Sequence, residues 1–504
     1  MILNKNSRLT FPAFTIQLLF VLGILGIVSC NKKETITPME EGDTSLVFES
    51  FKLEKKNNPF LKDDQAFDIT NTTISGSLQN YFYQAIPTFT TNAASVWINE
   101  TLQESGKSVI DFRKGVTYTL QSASGTTRNF QIKILWDNQL AEVQITTLGR
   151  TLIDSKTEFV AAQIQIDGKT NYPNFESSLQ IRGRGNTTWT YPKKPFKLKL
   201  DEEASVMGLA AEKDWILLAN YLDGTHLLNA VGMKIGQLLE MPFTNTIIPV
   251  EVTLNGEYLG AYMWTEQIEV KQNRVNVGKD GLLLNMDTNF DEPFQFSSSH
   301  FRLPVTIKYP KKIDFQKVRA IRQDFEKLEA LVASPDFPNN NYLDYFDAES
   351  FAKYLIVYML TANEEINHPK STYLYKTATG KYTMGPIWDF DWGFGFEGTL
   401  EHFSNPTKPL FWSSSAKGTQ FFSKFLSDPI IQQMVKEQWA TFEATQFQEL
   451  MHYIDEYAFI IRGARTRDFV LWAQGTNNFD GEVATLKNWL SSRARFMQNY
   501  IDEL

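Results

Sequence analysis

A single cysteine, Cys30, occurs in the 504-residue chain, and this constrains the fold more than any other feature. One thiol cannot form an internal disulfide, a zinc site of several thiolates or an iron–sulfur cluster. Stability must therefore come from apolar packing, for which 42% hydrophobic residues supply ample material. At about 150 residues per domain, the length indicates two to four domains. A net charge of -9 disfavours binding to nucleic acids or to anionic lipid surfaces, because both attract basic proteins.

The position of Cys30 indicates where the protein is sent. Lys5 and Arg8 precede an apolar stretch over residues 11–28, and a small residue stands directly before the cysteine. This order is typical of a secretory signal, and it resembles a bacterial lipobox, in which cleavage before the cysteine is followed by its acylation. We expect a lipoprotein signal peptide over residues 1–29 and a lipid anchor at Cys30, on a membrane and facing the periplasm or the exterior. A plain signal peptide and an uncleaved anchor are the alternatives.

The remaining sequence divides into three segments. Residues 30–65 are polar and charged, which predicts a tether. Residues 66–147 carry short alternating runs separated by turn residues, a pattern typical of a small Ig-like β-sandwich. Residues 150–504 mix strands with amphipathic helices and are mostly helical after Gln420. The predicted fold class is α+β, with an all-β sandwich module ahead of a larger mixed domain whose C-terminal part is helical.

Local patterns place several elements of the mixed domain. Apolar residues recur at helical spacing over residues 225–240, and again from Val318 to Leu331 and over about 348–361, which predicts three helices. Asn255-Gly256 lies between two apolar runs and is the strongest short signal for a β-hairpin.

Two basic segments of the mixed domain are able to bind phosphate. Residues 182–186 read Arg-Gly-Arg-Gly-Asn after a predicted strand, and glycines there let backbone N–H groups approach a phosphate. Lysines enter the next strand, and a lysine behind a Gly-rich loop can hold α- and β-phosphates. An acid at the end of a later strand can pair with that lysine. The alternatives are a Gly-rich hairpin, a solvated strand face and a surface acid. The candidate residues are Arg182, Gly183, Gly185, Asn186, Lys194, Lys197 and Glu266.

Asp389 and Asp391 are the strongest candidates for metal ligands. They stand at i and i+2 among large aromatic residues, where unpaired buried carboxylates would cost several kcal/mol. Two carboxylates on one side of an extended segment suit a hard cation such as Mg²⁺, although a helix cap or a salt bridge is the alternative. A polar loop over residues 363–371, a short hairpin and then Asp391-Trp392-Gly393 follow the order in which protein kinases place a base and a metal ligand.

Taken together, these segments resemble the CotH kinase family, a distantly protein-kinase-like family named for a spore-coat protein. The matching segments lie within about residues 150–400, and their combination is specific although no single segment is. They comprise residues 181–189, 192–197, 254–260, 266–267, 373–375 and 386–395. The resemblance implies an atypical protein-kinase-like fold for the domain over residues 150–504.

The resemblance also implies an activity, namely ATP-dependent phosphorylation of Ser or Thr in secreted or surface proteins with Mg²⁺ or Mn²⁺. Carried over to this chain, Lys194 or Lys197 holds the phosphates of ATP, and Asp389 and Asp391 hold the metal. Such an enzyme has a protein substrate as its partner, a membrane contact only through its lipid anchor, and no nucleic acid.

The chain departs from the family pattern at the presumed base. The family commonly has an Asp ahead of the hairpin and an Asn about five residues later, whereas this chain has Glu364-Glu365 and Lys370. Glu365 can accept a hydroxyl proton through its longer side chain, and Lys370 can neutralise transferred charge. Two other functions stay open: a non-catalytic surface binding or assembly protein that reuses the fold, and an enzyme that transfers a nucleotide such as AMP.

Overall fold

The computed structural model describes residues 43–504 apart from 60, 62, 80, 81, 114, 138, 170, 290, 291 and 400. The chain is 30% helical and 29% strand, which confirms the α+β class. The predicted signal peptide, Cys30 and residues 31–42 of the predicted tether lie outside the described residues. Within the described part, no helix is both long enough and apolar enough to cross a membrane.

The first module is built from eleven strands that form one core. A three-stranded sheet, β2-β1-β6, and a six-stranded sheet, β3-β4-β11-β10-β7-β8, both contribute to it, while β5 pairs with β9. The strands are β1 Phe48–Leu53, β2 Gln65–Ala66, β3 Asp68–Ile69, β4 Thr73–Gln79, β5 Gln84–Ala85, β6 Pro87–Thr91, β7 Ser95–Ile98, β8 Thr101–Leu102, β9 Ile110–Asp111, β10 Thr117–Gln121 and β11 Thr127–Asp137.

The start of this module corrects the predicted tether over residues 30–65. Leu46, Phe48 and Phe51 are buried in the module core, and β1 pairs antiparallel with β6 from Phe48↔Thr91 onward. Residues 43–53 therefore belong to the folded module. The charged residues 54–56 that follow β1 mask its alternating pattern in the sequence.

Seven strands then close a barrel in the order β12-β13-β14-β15-β16-β18-β17, and a parallel pairing of β12 with β17 completes it. Alternate residues fill its interior, as the period of two in a strand requires. The predicted boundary at residue 150 falls after its first strand. The strands are β12 Ala141–Thr147, β13 Val160–Asp167, β14 Phe175–Gly183, β15 Phe196–Ala204, β16 Glu212–Leu218, β17 Ile248–Leu254 and β18 Glu257–Glu266.

The hairpin between β17 and β18 forms where the sequence predicts it. Asn255 and Gly256 have φ angles of 54° and 88°, and two successive positive angles are what a tight type I′ turn needs. The predicted helix over residues 225–240 is also present, as α1 Leu228–Leu238 between β16 and β17.

The rest of the chain packs helices around a second sheet of order β20-β21-β19-β22-β23. Its strands are β19 Leu282–Met286, β20 Gln295–Ser297, β21 Pro304–Tyr309, β22 Thr372–Lys376 and β23 Thr383–Met384. The helices are α2 Phe315–Ala333, α3 Ala348–Leu360, α4 Lys417–Phe425, α5 Pro429–Thr441, α6 Phe447–Trp472 and α7 Phe479–Asp502. A π-helical segment, Phe442–Gln446, joins α5 to α6, and α3 is almost entirely buried at the centre.

Helix α6 is held by the first module on one side. The hydroxyl of Tyr83 donates to Oε1 of Glu456. The ring of Trp136 meets Phe459 edge to face, with centroids 4.8 Å apart. Arg113 covers the ring of Tyr83 at 3.8 Å. The module is therefore packed against the helical part by aromatic contacts and does not depend on the chain connection alone.

On its other side α6 is joined to the barrel through the buried carboxylate of Asp468. Oδ1 accepts hydrogen bonds from Lys193 Nζ at 2.5 Å and from Ala261 N at 2.8 Å, and Oδ2 lies 3.1 Å from His226 Nε2. Gly260, with φ +95°, makes the approach possible, since a Cβ there would lie 2.2 Å from Oδ1. One side chain thus connects α6, β18 and the segments that lead into β15 and α1.

The environment of Asp468 sets its charge state. Burial raises the pKa of this carboxyl, but His226 and Lys193 outweigh burial and hold the pKa at about 2. Burial lowers the pKa of Lys193, and the Asp468 carboxylate opposes that change. The pair is therefore charged, and each partner depends on the other because an isolated buried charge is costly.

We expect Asp468→Asn to lower the free energy of unfolding by about 3 kcal/mol, since it leaves the Lys193 charge buried without its counter-ion. Urea denaturation measures this. Asp480→Asn is the matched control, because the exposed pair of Asp480 with Arg462 is worth less than about 1 kcal/mol.

The same comparison has a defined pH dependence. The stabilisation by Asp468 is complete above the unfolded-state pKa of about 4 and is lost as the pH falls through about 2. The difference between wild type and Asp468→Asn should therefore shrink below pH 4. Equal stabilities of wild type and both variants at pH 7 would contradict the interpretation.

Candidate active site

A cleft of about 800 Å³ lies between the outer face of the barrel and the loops that follow α3. The barrel contributes side chains from β14, β15 and β16, together with the segment 267–270 that leaves β18. The opposite side is formed by β19, β21 and two loops, residues 365–371 and 388–392. The cleft therefore collects residues that lie far apart in sequence.

Strand alternation gives the barrel wall its charge. Ile181 and Leu198 point into the barrel core, so their neighbours Arg182 and Lys197 lie on the outer face and line the cleft. These two cations are directly opposite each other in the β14–β15 pairing. Asp214 of β16 pairs with Lys197 at 2.9 Å. Like charges opposite each other in a sheet are unfavourable, which marks this wall as a site for anions.

The turn after β14 brings backbone and a second arginine to the cleft. Gly185 has φ +82°, and a Cβ there would lie 2.0 Å from Thr188 Oγ1, so only glycine fits. Asn186 accepts a hydrogen bond from Lys156 Nζ at 3.0 Å. The guanidinium of Arg184 lies 5.5 Å from the ring of Trp388, on the opposite side of the cleft.

Asp389 and Asp391 lie on the side of the cleft that faces this turn. Asp389 has a positive φ of 65°, and its Oδ2 accepts from Ser371 Oγ at 3.3 Å. Asn229 of α1 donates to Oδ1 of Asp391 at 2.7 Å and accepts from the backbone between the two acids, Phe390 N, at 3.1 Å. Neutral hydrogen-bonding groups therefore orient both carboxylates, and neither is tied to a lysine or arginine by an ion pair in the described part of the chain.

Burial and mutual repulsion dominate the electrostatics of this side. Burial raises the pKa of Asp389, while Arg184 and the Ser371 hydroxyl oppose the increase. Burial and the neighbouring Asp389 raise the pKa of Asp391 to about 7. Both pKa shifts are upward because burial and the neighbouring acids outweigh the opposing effect of Arg184 and the hydrogen-bond donors.

Glu365 stands beside the two aspartates on a 3-10 turn, Glu364–Ile366. Asn363 fixes the turn by accepting from Glu365 N at 3.1 Å. Burial, reinforced by Asp389, raises the pKa of Glu365 well above its usual range, and its Oε2 is buried without a hydrogen-bond partner. Lys370, with Nζ 4.5 Å from the ring of Trp392, also lines the cleft.

The arrangement suits a polyphosphate and its cation. No group of three His, Cys, Asp or Glu side chains among the described residues is arranged to hold a metal ion. Mg²⁺, however, is commonly bound by one or two carboxylates together with waters and substrate phosphates. Asp389 and Asp391 fit that donor set, since their burial and mutual repulsion favour a shared cation. The cationic wall opposite fits the phosphates.

The comparison with known families decides what the mixed domain is. The family model described as CotH kinase protein matches residues 181–497, well over half of the chain. The chain belongs to the CotH kinase family. This confirms the resemblance seen in the sequence, and membership indicates a kinase-like function. No curated protein shows a significant match to the chain.

Most of the residues predicted for this CotH site lie together. Those that line the cleft are Arg182, Gly185, Asn186, Lys197, Glu365, Lys370, Asp389 and Asp391. Four others lie outside its lining. Gly183 is covered by the ring of Trp189, and Lys194 donates to Trp189 O at 2.7 Å.

The two acids predicted for the site but found outside it have other partners. Glu266 accepts from Thr246 N at 2.8 Å and does not pair with a lysine of β15, because Asp214 of the adjacent strand takes that place. Glu364 forms an ion pair of 2.7 Å with Lys408. The 3-10 turn directs the two consecutive glutamates to different surroundings, so that only Glu365 lines the cleft.

Sequence reasoning missed several residues of the cleft. Arg184 follows Arg182 at i+2, and strand alternation was a signal that both would share one face. Asp287 directly follows the apolar strand β19, a position comparable to that of Glu266 at the end of β18. Asn229 of the cleft, and Asp214, which pairs with the cleft residue Lys197, gave no signal, because their roles depend on which strands and helices become neighbours.

The metal-free protein should be stabilised by Asp391→Asn, because the change removes a half-buried charge next to Asp389. We expect a gain of about 1–3 kcal/mol in the free energy of unfolding at pH 8 with chelator present. The cost of ionised Asp391 begins near pH 4, where the unfolded chain ionises, rises to about pH 7 and is constant above it. Urea denaturation at pH 4 and pH 8 measures the change, with the exposed Asp201→Asn as control. A loss of stability at pH 8 would contradict the repulsion.

Proposed function

We propose that the protein transfers the γ-phosphoryl group of ATP to Ser or Thr hydroxyls of secreted or surface proteins. The observation that carries the proposal is a cleft in which a cationic strand wall faces two half-buried carboxylates and a third whose buried Oε2 has no hydrogen-bond partner. Membership in the CotH kinase family supports the same chemistry. Phosphoryl transfer needs mainly positioning and charge neutralisation, and this cleft contains groups for both.

Each wall of the cleft has a role in this proposal. Arg182 and Lys197 bind the α- and β-phosphates, with Asp214 orienting the lysine. Asp389 and Asp391 hold Mg²⁺ or Mn²⁺, and Asn229 orients Asp391. The metal supplies charge neutralisation at the phosphate oxygens when it is bound.

Glu365 is the proposed general base. Its raised pKa and unpartnered Oε2 suit a group that takes the proton of an acceptor hydroxyl as the new P–O bond forms and the bond to ADP breaks. Lys370 lies in the same cleft and neutralises charge on the transferred group, in the position where the family commonly has Asn.

The location is part of the proposal. The basic residues, apolar stretch and cysteine at the start of the chain support a lipoprotein anchored at Cys30. Acceptors would then be proteins outside the cytoplasm or in the envelope that come within reach of the anchored enzyme. Several acyl chains hold such an anchor durably, at about 0.8 kcal/mol per buried CH₂.

Glu365→Gln should lower kcat by about 10²–10⁴-fold, since it removes the proton acceptor and keeps the shape. Transfer from γ-labelled ATP to dephosphorylated casein, and to the protein itself, measures this with Mg²⁺ present. Glu364→Gln is the matched comparison and should keep activity within about twofold of wild type, because its carboxylate forms a peripheral ion pair. Equal losses in the two variants would exclude Glu365 as the base.

Intact-mass measurement of the acceptor separates phosphoryl transfer from the alternatives. A single phosphate per modified site supports the proposal, whereas the mass of a nucleotide would replace it with AMP transfer. No modification by the wild-type protein, together with normal surface function of Glu365→Gln cells, would favour a non-catalytic assembly role.

Cys30→Ala should release the protein from the membrane fraction, because the acylated residue is lost. Fractionation of cells fed a labelled fatty acid measures both the location and the label. Ser29→Ala keeps a small residue before the cysteine and serves as control. A wild-type protein that takes up no fatty-acid label would exclude the lipid anchor.

A further inference from the structure

Arg184 is one of several cations lining the cleft that have no hydrogen-bond or ion-pair partner among the described residues, as is also true of Arg182 and Lys370, whereas other cations there are paired. Lys197 is paired with Asp214, Lys156 donates to Asn186, and Lys308 pairs with Glu292. The guanidinium of Arg184 makes no hydrogen bond or ion pair with any residue in the described part of the chain and meets only the ring face of Trp388. Five donors of a half-buried guanidinium are therefore available to a ligand.

The neighbours of Arg184 define what that ligand contacts. Asp389 is the largest attractive influence on the Arg184 charge, and Asp391 contributes as well. The backbone holds the residue from both sides, since Arg184 N donates to Pro195 O at 3.2 Å and Gly183 N donates to Ser155 O at 2.9 Å. The guanidinium thus stands between the Gly-rich turn and the carboxylates that would hold the metal.

We propose that Arg184 is a catalytic residue that binds the transferred phosphoryl group, while Arg182 binds the inner phosphates. This assignment rests on the proposed function. Arg182 lies on the outer face of β14 and Arg184 in the turn that follows, with Arg182 nearer Lys197 and Arg184 nearer Asp389. A phosphate chain that runs from the barrel wall to the metal carboxylates therefore passes Arg182 first and Arg184 last.

The chemistry of arginine fits this place. Its planar fork binds two oxygens of a phosphate at once and stays charged when buried. As the acceptor oxygen bonds to phosphorus and the bond to ADP breaks, the proton moves to Glu365 and the electron pair leaves with ADP. The charge spread over the three equatorial oxygens is what Arg184 would stabilise. An unpaired arginine costs stability in the free protein, which an incoming phosphate offsets.

Calorimetry on the full chain with Mg²⁺, using ADP and the non-hydrolysable analogue AMPPNP, tests the assignment independently of turnover. Arg184→Gln should weaken the binding of AMPPNP by about tenfold or more. The affinity for ADP should stay within about twofold of wild type, because ADP lacks the terminal phosphate. Arg182→Gln should weaken the binding of both nucleotides. Lys199→Gln is the control, since Lys199 is exposed on β15 and lies outside the cleft lining; it should change neither affinity.

Turnover gives a second measurement. Arg184→Gln should lower kcat by about 10²–10³-fold, and Arg184→Lys should recover AMPPNP affinity but no more than about a tenth of kcat, because a point charge cannot form the fork. Melting temperature checks folding, and where Arg184→Gln fails to fold the Arg184→Lys result decides.

The outcomes separate this assignment from the proposed function. If Arg184→Gln selectively loses affinity for AMPPNP and the wild-type protein transfers no phosphate, the result supports Arg184 as the ligand of the terminal phosphate and overturns the proposed transferase activity. Normal transfer by wild type with Arg184→Gln behaving like Lys199→Gln overturns the arginine assignment and leaves the transferase intact. Equal weakening of ADP and AMPPNP also overturns it, because Arg184 would then contact the inner phosphates.

Discussion

The buried Asp468 carboxylate determines how the two walls of the cleft face each other. It binds Lys193, just ahead of β15, and Ala261 of β18, while His226 leads into α1. The strand that carries Lys197 and the helix that carries Asn229 are therefore both positioned from one point on α6. Because the charges there are almost fully buried, the arrangement is specified by paired groups that cannot separate without a large desolvation cost. Gly260 is needed for the same reason, since no side chain fits at that approach.

The cleft itself is poorly balanced in charge. Arg182 and Lys197 lie opposite each other on the paired strands β14 and β15. Asp389 and Asp391 are close to each other, and Glu365 lies near them. A stable fold tolerates such arrangements only where binding compensates them, and functional sites are where they concentrate. An anion bound at the barrel wall would neutralise the excess positive charge, and a cation bound at the carboxylates would neutralise the excess negative charge. A nucleotide with its divalent cation would do both.

Sequence patterns predicted the features that are encoded by residues close together in the chain. The helix behind residue 225, the Asn255-Gly256 hairpin and the family motifs each carry their signal within a few residues. The cleft residues Gly185, Lys197 and Asp389 belong to such motifs. What these patterns missed depends on assembly: Asp214 becomes the partner of Lys197 only when β15 and β16 pair, and the alternating pattern of β1 is masked by the charged residues after it. A one-residue shift on a 3-10 turn decides that Glu365, not Glu364, reaches the cleft, and no spacing rule predicts that.

The contacts of Tyr83 and Trp136 with α6 have a mechanical consequence. Only residues 138–140 separate β11 from β12. The aromatic contacts with α6 restrict movement of the first module about this short connection. Force applied at the amino-terminal end of the first module would thus be transmitted into α6, the helix that also positions the cleft. The first module is therefore a rigid extension of α6, and the direction in which the cleft opens is fixed relative to strand β1 of that module.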